Sequence, residues 1–126
     1  TWTILVVDDD PKAVEVIAAF LPAPAYAVLR AYSGGEAIAL ARLLRPDLIL
    51  LDLLMPQMSG FEVVETLRRD ANTAHIPILV VTASQVSAED RAALAGDPPA
   101  AVTVMHKAGF NRAGFVAEVR RALPQD

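Results

Sequence analysis

The chain has 126 residues, a formal net charge of −4 and no cysteine. This length suits one domain, and an acidic chain without a basic stripe is a poor candidate for direct nucleic-acid binding. The missing cysteines exclude disulfides, thiolate metal sites and cysteine nucleophiles, which is compatible with the cytoplasmic location that we expect. No apolar run reaches the roughly 18 residues of a membrane span. Because the chain starts at Thr1 without an initiator methionine, we expect residues 1–126 to be a single domain cut from, or part of, a longer chain.

Short apolar runs alternate with helical patterns along the whole chain. The predicted strands are 3–7, 26–31, 48–51, 78–81 and 101–105. Four of the predicted helices follow polar capping residues, namely Asp10, Ser33, Ser87 and Asn111. The third predicted helix runs from Phe61 to about Asp70. Such alternation predicts a parallel sheet with helices on both faces.

Chemically capable side chains stand where the predicted strands end. They are Asp8, Asp9 and Asp10 after the first strand, Asp52 after the third, Thr82 after the fourth and Lys107 after the fifth. Parallel α/β sheets bind ligands beyond the carboxyl ends of their strands. We therefore expect these residues to meet in one crevice, with Asp10 acting only as a helix cap.

Carboxylates that converge in a crevice repel each other until one takes a proton or a cation binds. Oxygen ligands favour Mg²⁺ or a similar ion, which needs only one or two protein carboxylates. Beside such an ion, one carboxylate can attack a phosphorus centre as a nucleophile. Lys107 can supply positive charge and Thr82 a hydroxyl to the transferring group. Asp52 alone would be functional about as often as structural, and each of the other residues alone is more often structural, but together they make up an aspartyl-phosphate site.

Three segments and one lysine of the sequence carry a family resemblance. They are residues 4–10 (ILVVDDD), 46–60 (PDLILLDLLMPQMSG) and 77–83 (PILVVTA), together with Lys107. On these segments the chain resembles the response-regulator receiver domains of two-component signalling systems, over essentially its whole length. The resemblance implies a flavodoxin-like, doubly wound α/β fold. Its five parallel strands would have the order 2-1-3-4-5, with five helices.

The resemblance also implies a role for each site residue. Asp52 would be the phosphoacceptor, and Asp9 and Asp52 would ligate Mg²⁺ (or Mn²⁺) directly. Asp8 would act mainly through water, and the backbone carbonyl of Leu54 would be a further ligand. Gly60 would permit the turn after the acceptor.

Thr82 and Lys107 would contact the phosphoryl group, and Thr82 would shift inward when Asp52 is phosphorylated. The implied partners are a histidine kinase or phosphotransfer domain and an unknown output domain or effector, with a homodimer left open. Such a domain is a phosphoacceptor and not a turnover enzyme.

The last third of the chain departs from the family pattern. Val104 stands where the family has Tyr or Phe, Ala108 where proline follows the lysine, and the loop 97–101 is longer than usual. The aromatic residue couples the threonine shift to the output face. Our hypothesis is that the phosphorylation chemistry is intact while the signal output is unconventional.

Two other functions compete with this interpretation. A haloacid-dehalogenase-type phosphatase carries a second Asp two residues after its nucleophile, where this chain has Leu54. A degenerate receiver would act as a protein-interaction module without phosphorylation. The sequence also leaves open whether the domain stands alone or belongs to a hybrid kinase or a transcription factor.

Overall fold

The computed structural model describes residues 1–83, 86–95, 102–106 and 111–124. In this part of the chain five strands alternate with five helices. The strands are β1 (Trp2–Val7), β2 (Tyr26–Ala31), β3 (Leu48–Leu51), β4 (Ile78–Thr82) and β5 (Val102–His106). The helices are α1 (Pro11–Ala19), α2 (Gly34–Leu44), α3 (Gly60–Arg69), α4 (Ala88–Ala95) and α5 (Arg112–Ala122). None of the helices in these ranges is both long and apolar enough to cross a membrane.

The strands form one parallel sheet with the order β2-β1-β3-β4-β5, as the resemblance implied. The order reverses between β1 and β3, because β1 has β2 on one side and β3 on the other. Val7 at the end of β1 lies opposite Leu51 at the end of β3. The next residues along the chain, Asp8 and Asp52, therefore leave adjacent strand ends at the point where such folds bind ligands.

The sheet separates two apolar layers. Leu5 and Val7 of β1 point into the layer beneath α2, α3 and α4, whereas Ile4 and Val6 point into the layer beneath α1 and α5. β3 and β4 are buried along their whole length. Burial on both faces explains why these strands have no polar alternation in sequence.

All four predicted helix caps are confirmed. Each cap side chain accepts a backbone N–H bond: Asp10 from Lys12 at 2.9 Å, Ser33 from Glu36 at 3.2 Å, Ser87 from Asp90 at 3.0 Å and Asn111 from Gly114 at 2.8 Å. The third helix begins at Gly60, one residue before the predicted start, because the Ser59 hydroxyl accepts from Glu62 N–H at 3.4 Å. These caps satisfy N–H groups that a helix leaves unpaired at its start.

Candidate functional site

Three carboxylates meet at the carboxyl edge of β1 and β3. One oxygen each from Asp8, Asp9 and Asp52 lies within 4.8 Å of the other two. Asp8 is 3 % exposed and Asp52 9 % exposed, whereas Asp9 is open to solvent. The structure therefore brings together the three acids that the sequence predicted as metal ligands.

Backbone N–H groups orient the two buried carboxylates. Oδ1 of Asp8 accepts from Asp10 N–H at 3.0 Å, and Oδ1 of Asp52 accepts from Leu54 N–H at 3.2 Å. The N–H of Asp52 donates to the Val7 carbonyl at 3.1 Å, so its backbone is tied to β1. These bonds fix the orientation of both carboxylates.

The loop from Leu53 to Gly60 turns back sharply beside Asp52. A Cβ on Gly60 would lie 2.6 Å from the Asp52 carbonyl oxygen and 2.7 Å from Leu53 Cα, so only glycine fits. Gly60 N–H donates to the Leu53 carbonyl at 3.0 Å and closes the turn. The structure gives a physical reason for the glycine that the resemblance assigned to this position.

A tight turn lies at the tip of this loop. Gln57 has a positive φ of 68°, and Met58 N–H donates across it to the Pro56 carbonyl at 2.8 Å. Leu54 exposes 59 % of its surface, whereas Met58 packs against the core layer beneath α2. Met58 packs against Gly34, the first residue of α2. The sequence did not predict this contact, because neither residue carries a charged or reactive group.

Thr82 ends β4 and is completely buried. It lies opposite His106 on β5, the residue that precedes Lys107 in sequence. Lys107 itself lies outside the described residues, as do Ala108 and the loop 97–101. The predicted contact between Lys107 and a phosphoryl group therefore stays a prediction.

Val104 lies on the strand next to Thr82. It is opposite Val80 and packs, partly buried, against the core layer beneath α2, α3 and α4. Val80 and Thr82 are two residues apart on β4, so their side chains leave the same face of the sheet. Val104 and Thr82 thus lie on neighbouring strands and on the same face of the sheet.

Comparison with known proteins places the chain in a family. Residues 4–109 match the family described as the response regulator receiver domain. The chain is 42 % identical to the protein PilH of Pseudomonas aeruginosa over 79 residues, 63 % of this chain and 65 % of PilH. It is 46 % identical over 80 residues to the transcriptional regulator RpaA of Synechocystis, 64 % of this chain and 33 % of RpaA. The polar-differentiation response regulator DivK of Brucella ovis is 36 % identical over 90 residues, 71 % of this chain and 73 % of DivK.

The chain thus spans about two thirds of PilH and one third of RpaA. Among solved structures, the chemotaxis protein CheY4 of Vibrio cholerae superimposes with a TM-score of 0.85 at 30 % identity, covering 98 % of this chain and 99 % of CheY4. The receiver domain of the sensor histidine kinase PA1611 from Pseudomonas aeruginosa, with a magnesium ion in its active-site cleft, gives 0.80 at 27 % identity over 96 % of both chains. Because the family match covers most of the sequence and the fold agrees, the chain belongs to the response regulator receiver domain family.

Proposed function

We propose that this domain accepts a phosphoryl group on Asp52 in the presence of Mg²⁺ or Mn²⁺. The observation that carries the proposal is the acidic cluster: Asp52 is 9 % exposed at the end of β3, and carboxylate oxygens of Asp8 and Asp9 lie within 4.8 Å. The donor would be a histidine kinase or a phosphotransfer domain. The signal would pass on by conformational change or protein contacts to an output domain or effector.

The donor set fits a hard divalent cation, because all three side chains offer carboxylate oxygens. Asp9 and Asp52 would hold the ion directly, Asp8 mainly through water, and Leu54 through its backbone carbonyl. When bound, the ion supplies positive charge that offsets the repulsion between the acids and an incoming phosphoryl group. The magnesium ion in the cleft of the PA1611 receiver supports this assignment.

Asp52 would act as the nucleophile. One of its carboxylate oxygens forms the new bond to phosphorus while the P–N bond of a phosphohistidine donor breaks, and the imidazole leaves with the electron pair. The Leu54 N–H, 3.2 Å from Oδ1 of Asp52, orients the carboxylate for this step. The Thr82 hydroxyl and the Lys107 ammonium group would stabilise the phosphoryl oxygens.

Asp52 would keep the phosphoryl group that it accepts and would not release a product in each cycle. We therefore propose a signalling module and not a turnover enzyme. A phosphatase of the haloacid-dehalogenase type would need an acid where Leu54 stands. The competing function is a degenerate receiver that acts only through protein contacts. The small residue Val104 beside Thr82 favours that alternative, whereas the complete set of three acids favours phosphorylation.

Intact-mass measurement after incubation with acetyl phosphate and Mg²⁺ tests the proposal. The wild type is expected to gain one phosphoryl group, and Asp52→Asn to gain none. Asp10→Asn is the matched control, because Asp10 caps α1 through Lys12 N–H and asparagine caps a helix equally well. Equal labelling of Asp52→Asn would exclude Asp52 as the acceptor. An unlabelled wild type that still binds a partner would favour the degenerate receiver.

A further inference from the structure

Gly34, the first residue of α2, contacts the loop that follows Asp52. A Cβ built on Gly34 would lie 2.9 Å from both Cγ and Sδ of Met58 and 3.0 Å from its Cβ. A Cβ on the neighbouring Gly35 would meet no atom of the described residues within 4 Å. Glycine is less favourable than alanine in a helix by up to about 1 kcal/mol. Packing against Met58 therefore explains why residue 34 is a glycine, whereas no such contact explains the glycine at position 35 among the described residues.

Met58 lies in the same loop as Leu54. Two hydrogen bonds to the residues that directly follow β3 close the loop, from Leu54 N–H to Asp52 Oδ1 at 3.2 Å and from Gly60 N–H to the Leu53 carbonyl at 3.0 Å. Between these two bonds, Leu54, Pro56 and Gln57 are exposed to solvent, whereas Met55 is buried in the core. The packing of Met58 against Gly34 thus connects the middle of this loop to α2.

We propose that Gly34 is a positioning residue for the phosphoacceptor site. By leaving room for Met58, it holds the 53–60 loop where the backbone of Leu54 and the carboxylate of Asp52 can act on one cation. The inference rests on the proposed function, because it assigns Gly34 to the same metal-binding site.

An alanine at position 34 displaces the loop and not only the end of the Met58 side chain. Rotation about χ1 of Met58 carries Cγ and Sδ away, but it leaves Cβ in place at 3.0 Å. The start of α2 is anchored, since the Ser33 hydroxyl accepts from Glu36 N–H at 3.2 Å and the Glu36 carboxylate accepts from Tyr32 N–H at 3.0 Å. Met55 of the same loop is buried in the core layer beneath α2, so the displacement falls on Met58 and on the exposed turn at Pro56 and Gln57, which moves more readily than the helix.

Groups that orient metal ligands typically alter metal affinity by 10–100-fold when they are changed. We expect Gly34→Ala to weaken Mg²⁺ binding on the order of tenfold, because it acts through Met58 on the loop. Gly35→Ala adds the same methyl group to the same helix end, where no atom of the described residues lies within 4 Å of it. It is expected to leave the Mg²⁺ affinity unchanged.

The experiment is calorimetric Mg²⁺ titration of the wild type, Gly34→Ala and Gly35→Ala. Amide ¹H–¹⁵N spectra of the metal-free proteins provide a second readout. The Leu54 and Met58 resonances should shift in Gly34→Ala and stay in place in Gly35→Ala. Met58→Ala removes the contact from the other side without a clash, so it tests the inference even if Gly34→Ala does not fold. It is expected to weaken Mg²⁺ binding as well.

The double variant Gly34→Ala/Met58→Ala removes the two closest atoms, Cγ and Sδ, from the clash. Its loss of affinity should be smaller than the product of the two single losses, because both changes act on one contact. Equal Mg²⁺ affinity of the wild type, Gly34→Ala and Met58→Ala would overturn the inference and leave the proposed function intact. So would an equal loss in Gly35→Ala. A wild type that binds no Mg²⁺ would overturn the proposed function, and this inference with it.

Discussion

Gly60 shows how a single missing side chain shapes the site. Its Cα passes so close to the residues that follow β3 that an added Cβ would lie 2.6 Å from the Asp52 carbonyl oxygen and 2.7 Å from Leu53 Cα. Both of these neighbours are backbone atoms of buried residues, so neither can turn aside as a side chain could. The geometry of the phosphoacceptor therefore depends on a residue that has no chemistry of its own.

Gly60→Ala is expected to lower the free energy of unfolding by about 3 kcal/mol, as a severe overpacking change does. Chemical denaturation measures this loss. The matched control is Gly35→Ala in the first turn of α2, which is expected to raise the free energy of unfolding by less than the roughly 1 kcal/mol of a helix interior. A Gly60→Ala protein as stable as the wild type would show that the loop relaxes around the methyl group.

The chemistry of the site could be predicted residue by residue, whereas its supports could not. Asp8, Asp9 and Asp52 stand out together, because acids that follow different strands of a parallel sheet meet at one sheet edge. Gly34 and Met58 carry no such signal. They are far apart in sequence, and only the packing of α2 beside the loop brings them into contact.

At the scale of elements, local chemistry set most helix and strand boundaries. β2 and β3 begin and end where the sequence predicted, and four caps lie at the predicted residues. Contacts between elements were not predictable in this way. The Arg68 guanidinium of α3 donates to the carbonyl of Leu94 in α4, a contact that depends on how two helices pack.

The strand pair β4–β5 bears on signal output. Thr82 is buried at the end of β4, and Val104 on β5 is too small to act as the aromatic partner of receiver domains. With a phosphate mimic such as beryllofluoride, we expect Thr82 to shift while residue 104 and the β5 face change little. Structures with and without the mimic measure both movements.

Val104→Tyr is the informative comparison, because it supplies the ring that the family pattern has at this position. We expect the mimic to produce a larger response on the β5 face in this variant than in the wild type. An ordinary, coupled movement of Thr82 and β5 in the wild type would contradict an unconventional output.

An ion pair between Arg42 of α2 and Asp70 at the end of α3 should make the stability of the fold depend on pH in the acid range. The backbone N–H of Asn72, 2.9 Å from Oδ1 of Asp70, and the Arg42 guanidinium, 2.8 Å from Oδ2, hold the pKa of the Asp70 carboxyl below its usual range. A carboxyl with a lowered pKa in the folded state stabilises the fold above the pKa of the unfolded chain. This stabilisation is lost as the pH falls through the folded-state pKa.

Asp70→Asn is therefore expected to be less stable than the wild type at neutral pH, and the difference should shrink as the pH is lowered below about 4. Thermal unfolding across this pH range measures the change. Glu65→Gln, an exposed acid of α3 paired with Arg69, serves as the control for losing one surface charge. Parallel pH profiles of the wild type and Asp70→Asn would contradict the assignment.

At the scale of the whole molecule, strand order creates the site. The alternation of strands and helices predicts a parallel sheet, but it does not say which strands are neighbours. The order 2-1-3-4-5 came from the family resemblance, and the structure confirms it. Asp8 and Asp9 are far from Asp52 in sequence. Carboxylate oxygens of the three residues lie within 4.8 Å of one another because β1 and β3 are adjacent.

This clustering should couple metal binding to the stability of the whole domain. Like charges repel by on the order of 1 kcal/mol at such distances in water, so Asp9→Asn is expected to raise the melting temperature of the metal-free protein. An ion that binds only the folded state stabilises it by about 2.7 kcal/mol at a hundredfold excess over Kd. The wild type should gain this stabilisation from Mg²⁺, whereas Asp9→Asn should lose most of it.

Thermal unfolding with Mg²⁺ titrated at constant ionic strength separates the two effects. Asp10→Asn is the control, because it removes the neighbouring charge at the cap of α1 and should keep the full Mg²⁺-dependent rise. If Asp9→Asn gains as much from Mg²⁺ as the wild type, Asp9 does not hold the ion. If Asp9→Asn melts at a lower temperature than the wild type without metal, repulsion between the acids does not limit stability. The contacts that Asp9 makes would then outweigh that repulsion.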